Sequence, residues 1–156
     1  MAIGAGATEA NIDTTTRALD LSKDLLPGPL QSQLQSCASG PFYSTDFSIA
    51  HRGAPLGYPE HSREGYIAAA TQGAGVIECD VTFTKDLELV CRHSQCDLAT
   101  STNILQTELA ASCRVPFTAA TNNSTANAQC CTSDITLKEF KTLCARPDRR
   151  NPQANT

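Results

Sequence analysis

Between Phe47 and His93 the sequence alternates between short apolar runs and one amphipathic stretch. The run "FSIAHRG" has the composition of a strand. "SREGYIAAATQGAG" has that of a helix, with Ser62 as candidate N-cap and Gly73 as candidate stop. "VIECDVTFT" then alternates apolar residues with acids and hydroxyl residues, and "LELVCRH" at 87–93 follows a tight turn. This order predicts strand, helix, strand, strand, and therefore an α/β fold with a parallel or mixed sheet.

The segments on either side differ from this region in their sequence patterns. Residues 13–40 carry two helical patterns separated by Pro27-Gly28-Pro29, so residues 1–46 are predicted to be an N-terminal helical extension. The domain proper is assigned to residues 47–156, with a polar, Cys-rich insertion at 95–132 that is expected to be a disulfide-pinned surface excursion. "SDITLKEFKTLCA" at 133–145 is predicted to be a capped amphipathic helix.

Size and charge narrow the classes of protein. A chain of 156 residues is the size of one domain. Its 12 Lys and Arg against 16 Asp and Glu give a net charge of −4 without long blocks of one sign, which argues against a nucleic-acid or anionic-membrane partner. No stretch approaches the roughly 18 apolar residues of a transmembrane helix, so no transmembrane segment is expected.

The cysteines indicate the compartment. Eight Cys, together with overlapping glycosylation sequons at Asn122 and Asn123, are typical of a secreted or extracellular protein. The start "MAIGAGATEA" lacks the features of a signal peptide, which leaves a removed leader or, alternatively, a cytoplasmic location.

Strand parity predicts how some of these cysteines pair. Cys79 should point away from Glu78 and Asp80, whereas Cys91 should point with His93, so Cys79 and Cys91 are not expected to pair. The other six allow up to three bridges among 15 connectivities, with the neighbours Cys130 and Cys131 bound to different partners.

Two carboxylates on the second strand point to a metal site. Glu78 and Asp80 are two residues apart, so their side chains should project to the same side about 6–7 Å apart along the backbone. Carboxylate oxygens are the donors that hard cations prefer, which favours Mg²⁺ or Ca²⁺ over zinc.

The remaining polar residues at the strand ends suit a phosphodiester. Ligands of α/β sheets bind at such ends, where His51 and Arg52 follow the first strand and His93 closes the third. A guanidinium fork matches two phosphate oxygens. An imidazole titrates near neutral pH, so one ring can act as base and the other as acid.

These residues stand in an order that resembles the glycerophosphodiester phosphodiesterase family. The family pattern of H-R-G, P-E-N, an E-x-D strand, T-K-D and H-D is matched by "AHRGAPLGYPEHSREGYIAAATQGAGVIECDVTFTKDLELVCRHSQCDLATSTN". The match covers roughly residues 47–103 in correct order and spacing, and continues more weakly into "SDITLKEFKTL".

The resemblance implies a fold and roles for single residues. The family is a TIM barrel of about 250 residues, so the chain would supply the first three of eight strands, about three βα units. His51 and His93 resemble the catalytic acid–base pair and Arg52 the phosphate contact. Glu78 and Asp80 resemble two metal ligands, with the third on a later strand, and Glu60 resembles a supporting carboxylate.

The chain departs from the family pattern at several positions. His61 replaces the usual Asn, Leu87 the Gly that often follows Lys-Asp, and Ser94 the Asp after the second His. Asp97 is the candidate to act in place of the missing Asp next to His93. Because three strands cannot close a barrel, an exposed apolar face is expected. The isolated chain is further expected to be poorly folded and inactive.

The sequence thus predicts metal-dependent hydrolysis of a small glycerophosphodiester to glycerol 3-phosphate and an alcohol. Two alternatives remain open at this stage. One is an enzyme of the sphingomyelinase or phospholipase D type, which has a related barrel with two His and an acidic metal site. The other is a secreted module that binds phosphodiesters without turnover.

Overall fold

The computed structural model of the protein describes residues 18–147. The predicted start of the N-terminal extension, including residues 13–17, lies outside the described residues, as does the polar tail from Asp148. Within the described range no helix is long and apolar enough to cross a membrane. The proposed domain limits at 46/47, 95 and 132 stay predictions.

Helices and strands in the described part of the chain are short. The α-helices are α1 (Ala18–Lys23), α2 (Pro29–Ser36), α3 (Arg63–Thr71), α4 (Leu98–Ser101) and α5 (Leu137–Phe140). The strands are β1 (Thr45–Ala50), β2 (Ala74–Ile77), β3 (Val81–Phe83), β4 (Leu89–Cys91), β5 (Val115–Thr118) and β6 (Asn127–Gln129). Single 3₁₀ turns lie at Cys37–Ser39, Ile104–Gln106, Glu108–Ser112 and Thr132–Asp134.

The strands form three two-stranded sheets. β1 and β2 are parallel and are joined through α3, whereas β3–β4 and β5–β6 are antiparallel hairpins. The protein is therefore mixed α/β, and no barrel is closed among the residues that the structure describes. The expectation of about three successive βα units is not confirmed in this range, where one parallel βαβ unit is followed by a hairpin. β3 and β4 are joined by a tight turn, which permits only antiparallel pairing.

The helix of the parallel unit follows its sequence signals. The Ser62 hydroxyl accepts a hydrogen bond from the Gly65 backbone N–H at 3.1 Å, the usual N-cap contact. At the other end Gly73 has a φ of 87°, the left-handed conformation that terminates many helices. Both boundaries predicted for this helix are confirmed.

The predicted strand over "VIECDVTFT" is interrupted. β2 ends at Ile77 and β3 begins at Val81, so residues 78–80 form an irregular link. Side-chain alternation does not carry across such a link, and the parity argument for the cysteines was therefore wrong. Cys79 and Cys91 are joined by a disulfide with their Cα atoms 5.5 Å apart.

Hydroxyl groups, rather than apolar side chains, cover the buried face of β3. Thr84 is only 1% exposed and Thr82 is also buried, while Val81 and Phe83 are more than half exposed. The Thr132 hydroxyl lies over this face, 2.8 Å from the Phe83 carbonyl oxygen and 3.3 Å from the Thr82 hydroxyl. Paired hydroxyls can be buried at little cost, which explains why polar residues occupy the inner face.

The main apolar cluster lies mostly within the predicted insertion. It includes the disulfide Cys113–Cys130, and Cys131, next in sequence, is bound to Cys96. The cluster consists of Leu98, Ile104, Cys113, Cys130 and Ile135. The insertion is disulfide-pinned, as predicted, but it contributes core and is not merely a surface excursion. The separate partners of Cys130 and Cys131 are confirmed.

The helix predicted over 133–145 is much shorter. α5 begins after Thr136, whose hydroxyl accepts from the Glu139 backbone N–H while the Glu139 carboxylate accepts from the Thr136 N–H. This reciprocal capping box places the N-cap at Thr136, three residues after the predicted start at Ser133. Ser133 itself lies in the preceding 3₁₀ turn.

An apolar surface is exposed on the parallel sheet. Phe47 on β1 is 95% exposed, and Ile49, Val76 and Ile77 are also exposed. The expectation of an exposed apolar face is met on these two strands.

Two of the cysteines form no disulfide. Cys37 and Cys144 are exposed free thiols.

Truncating the core of the Cys-rich segment should destabilise the protein. Leu98 is fully buried, so Leu98→Ala should lower the free energy of unfolding by about 2–5 kcal/mol through lost burial and a residual cavity. Urea unfolding under oxidising conditions measures this change. Leu26→Ala is the matched control, because Leu26 is 89% exposed and its truncation should cost no more than about 0.5 kcal/mol.

Two surface carboxylates should give the protein an acid-sensitive component of stability. Hydrogen bonds from the Thr84 hydroxyl and the Leu137 N–H lower the pKa of Asp86, and those from Thr136 lower the pKa of Glu139. Their contribution is complete above the unfolded-state pKa values near 4 and is lost as the pH falls through the folded values.

Urea unfolding between acidic and neutral pH tests this assignment. Asp86→Asn combined with Glu139→Gln should flatten the decline of stability at acidic pH. An acid limb identical to that of the unmodified protein would contradict it.

Candidate functional site

The loop after β1 turns back on the end of β2. The Ala50 carbonyl accepts from the Glu78 N–H at 3.1 Å, and the Arg52 N–H donates to Glu78 Oε2 at 2.8 Å. Arg52 has a φ of 60°, which non-glycine residues seldom adopt and which is common at functional sites. One carboxylate from the end of β2 therefore fixes the backbone of the loop after β1.

The Arg52 side chain gathers two further carboxylates. Its Nη1 donates to Glu60 Oε2 at 2.8 Å, and its Nε lies 3.7 Å from Asp80 Oδ2. The hydrogen bond to Glu60, with the charges of Asp80 and Glu78, raises the pKa of Arg52 against the opposing effect of burial. Nε itself is buried and has no hydrogen-bond partner within the described structure. Glu60 and Asp80 thus contact the Arg52 guanidinium, while Glu78 holds the Arg52 backbone.

A glycine allows this loop to reach α3. Gly53 has a φ of 94°, and a Cβ there would lie 3.0 Å from the backbone carbon of Gly65. Any side chain would have to displace the helix backbone. The third position of the H-R-G motif is therefore restricted both by backbone conformation and by packing.

His61 is the centre of a second hydrogen-bonded chain. Its Nδ1 lies 2.8 Å from the Tyr66 hydroxyl, and its Nε2 lies 3.2 Å from Asp80 Oδ2. Its φ of 56° is in the left-handed region, where Asn, Asp and His are enriched. This explains how His can stand where the family pattern has Asn.

The protonation states of this chain follow from burial. Burial and the charge of Arg92 lower the pKa of His61, and burial raises the pKa of Tyr66 to about 12. At neutral pH Tyr66 therefore donates its proton to Nδ1, which leaves the single imidazole proton on Nε2 to face Asp80. His61 thus orients Asp80 without adding a charge.

The buried pair of Arg92 and Asp97 was missed by the sequence analysis. Arg92 Nε and Nη2 each lie 3.2 Å from an oxygen of Asp97, a bidentate pair, and Nη2 is 3.9 Å from Glu60 Oε1. The Arg92 side chain is only 3% exposed. The sole sequence signal was a basic residue with an acid five positions later, which is common on surfaces. Burial distinguishes this pair from a surface one.

Asp97 also organises the backbone next to His93. Its Oδ2 accepts from the Ser94 N–H at 3.3 Å, and its Oδ1 accepts from the Ser101 hydroxyl at 3.2 Å. The role of Asp97 in place of the aspartate replaced by Ser94 stays a prediction.

The two histidines expected to act as acid and base are on the surface. His51 and His93 are exposed, and neither ring hydrogen-bonds to another residue of the described range. His51 directly precedes Arg52, and His93 directly follows Arg92. Their roles as an acid–base pair stay predictions.

The site was tested for its fit to a divalent cation. Among residues 18–147 no three His, Cys, Asp or Glu side chains are grouped so as to hold a metal ion. The donor chemistry nevertheless fits a hard cation, since Glu78 and Asp80 present carboxylate oxygens. Four carboxylates contact two arginines through side chain or backbone, so the cluster carries an excess of negative charge; they are Glu60, Glu78, Asp80 and Asp97.

Comparison with known proteins identifies the family. Residues 51–155 match the glycerophosphoryl diester phosphodiesterase family. The chain belongs to this family. The matched region begins at His51 and includes all of the residues placed in the site above.

Two relatives illustrate the likeness. "Glycerophosphodiester phosphodiesterase GDPD6" of Arabidopsis thaliana is 33% identical over 141 residues, covering 80% of this chain and 37% of the relative. "Probable glycerophosphodiester phosphodiesterase 1" of Mycobacterium tuberculosis is 47% identical over 49 residues, covering 31% of this chain and 18% of the relative. The chain therefore spans well under half the length of these relatives.

The buried Arg92–Asp97 pair should be far more important for stability than a similar surface pair. Arg92→Ala leaves the Asp97 carboxylate largely buried without its partner and should cost about 3–5 kcal/mol in the free energy of unfolding. The control is Arg114→Ala, because Arg114 pairs with Asp134 but is 56% exposed. Losing that pair should cost at most about 1 kcal/mol. Urea unfolding of both variants measures the difference, and equal costs would contradict the argument.

Proposed function

We propose that the chain carries the phosphodiester-binding and proton-transfer part of a metal-dependent glycerophosphodiester phosphodiesterase. The observation that supports this most strongly is the convergence of Glu60, Glu78 and Asp80 on Arg52 at the ends of two adjacent parallel strands. Crevices outside the carboxyl ends of parallel strands are where α/β folds bind ligands. Family membership supports the same substrate class.

In this proposal Arg52 binds the phosphate. Its side chain is partly exposed, so the guanidinium is accessible to a substrate. Glu60 holds Nη1, so the orientation of the guanidinium plane is set before substrate arrives. A preorganised guanidinium of this kind suits the paired oxygens of a phosphodiester.

His51 and His93 transfer the protons. One imidazole removes a proton from the attacking hydroxyl, and the other protonates the oxygen of the leaving alcohol. Both rings are exposed and so can reach a substrate on the surface of the site. Asp97 and Arg92 position the segment that carries His93.

The negative charge of the cluster explains the need for a cation. A phosphodiester anion would be repelled by carboxylates that outnumber the guanidinium groups. Glu78 and Asp80 would hold Mg²⁺ or Ca²⁺, which supplies charge neutralisation of the phosphate when bound. His61 restricts the orientation of Asp80 through its Nε2 proton, and Glu60 supports Arg52.

The parallel β1–α3–β2 unit is proposed to be the start of a TIM barrel. Parallel order, the crossover helix and the polar groups at the carboxyl ends agree with that architecture. The exposed apolar side chains of β1 and β2 are the kind of surface that further strands would cover.

Substitution of the two histidines tests the mechanism. In the protein as its gene encodes it, His51→Ala and His93→Ala should each lower kcat for glycerophosphocholine by about 10²–10⁴-fold, because each removes one proton-transfer group. Both variants should bind Mg²⁺ or Ca²⁺ with nearly unchanged affinity in calorimetric titrations. Assaying the 156-residue chain in parallel tests the expectation that it is inactive alone.

The controls separate chemistry from metal binding. Glu78→Gln with Asp80→Asn should abolish cation binding, whereas Glu108→Gln, on an exposed 3₁₀ turn, should leave it unchanged. Full turnover by both histidine variants would refute the acid–base roles. Hydrolysis of sphingomyelin in preference to soluble diesters would support the alternative enzyme class, and binding without turnover would support the non-catalytic module.

A further inference from the structure

The hairpin β5–β6 carries both glycosylation sequons at its tip. The strands pair at Val115↔Gln129 and Thr118↔Asn127, and an isolated bridge joins Thr121 to Ser124. Asn122 and Asn123 are therefore the two central residues of the turn. Residues 116–127 are exposed throughout.

The base of the hairpin is fixed to the core. The disulfide Cys113–Cys130 joins the residues that flank β5 and β6, and both of its cysteines are buried in the apolar cluster. The tip thus projects from a cross-linked base, where a bulky group can be attached without disturbing packed side chains.

We propose that Asn123 carries a single N-linked glycan, in preference to Asn122. A sequon requires a hydroxyl residue two positions after the asparagine, which is Ser124 for Asn122 and Thr125 for Asn123. The Ser124 hydroxyl lies 2.8 Å from the Thr121 hydroxyl, and the Ser124 backbone N–H donates to the Thr121 carbonyl. Thr125 is exposed, and its hydroxyl forms no hydrogen bond with any residue in the described range.

Crowding limits the turn to one glycan. The two asparagines are adjacent in a two-residue turn, and a glycan is far larger than the turn itself. Attachment at Asn123 therefore shields Asn122. The three disulfides of the structure are compatible with an extracellular protein, whose secretory route supplies the glycosylating machinery.

The modification is a group transfer from a lipid-linked oligosaccharide. The Asn123 amide nitrogen attacks the anomeric carbon of the first sugar, forming the carbon–nitrogen bond and losing one proton. The bond between that carbon and the lipid diphosphate breaks, and the diphosphate leaves with the electron pair. No oxidant or reductant is needed.

The test is secretion of the 156-residue chain from yeast behind an added signal peptide, followed by peptide N-glycosidase and intact-mass analysis. We expect a mass decrease corresponding to one glycan. Asn123→Gln and Thr125→Ala should each abolish it, whereas the matched variants Asn122→Gln and Ser124→Ala should retain it. Because the turn is closed by residues that are neighbours in sequence, it can form before the rest of the chain folds. Intracellular protein can be scored even for a variant that is not secreted.

Three outcomes would overturn the proposal. They are a chain without any glycan, a chain with two glycans, and a glycan that is lost in Asn122→Gln and Ser124→Ala but kept in Thr125→Ala. None of these outcomes depends on catalytic activity, so the test stands apart from the proposed function.

Discussion

The adjacent disulfides at Cys130 and Cys131 are the constraint on which most of this structure depends. Cys130 is bound to Cys113, which precedes the β5–β6 hairpin. Cys131 is bound to Cys96, which follows the β3–β4 hairpin. Each disulfide closes a loop and so lowers the conformational entropy of the unfolded chain. For loops of this length the folded state is thereby stabilised by about 3–4 kcal/mol per disulfide. A chain with few large apolar residues in its interior gains more from such cross-links than a protein with an extensive core.

Thr132 connects this junction to the site region. Its hydroxyl interacts with the Thr82 hydroxyl and the Phe83 carbonyl, and its N–H donates to the Gln95 carbonyl at 2.8 Å. The β3–β4 hairpin is thereby held on the Cys-rich segment. Because Arg92 directly follows β4 and pairs with Asp97, the same contacts position the backbone that carries His93.

The site is dominated by charge. Arg52 and Arg92 face four carboxylates, and the neutral His61 is inserted between Tyr66 and Asp80. Residues in unusual backbone conformations concentrate here, since Arg52 and His61 both have positive φ. Leu87, the third non-glycine residue of this kind in the described range, stands where the family pattern often has Gly. The tight turn between β3 and β4 explains that preference.

Sequence patterns were sufficient to predict an element wherever the interaction that determines it is local. The sequence predicted the helix capped by Ser62 and the turn at Lys85-Asp86, because caps and turns depend on neighbours in sequence. Glu78 and Asp80 both lie close to Arg52, although the strand expected to carry them ends at Ile77, and their roles as metal ligands stay predictions.

The sequence by itself therefore determined the family and the chemical character of the strand ends. The tertiary structure decided the pairing of Cys79 with Cys91, the burial of Thr82 and the Arg92–Asp97 pair. Each of these depends on a break in a strand or on a segment distant in sequence that covers one face. Burial and long-range pairing are set by which surfaces meet, and local periodicity carries no information about that.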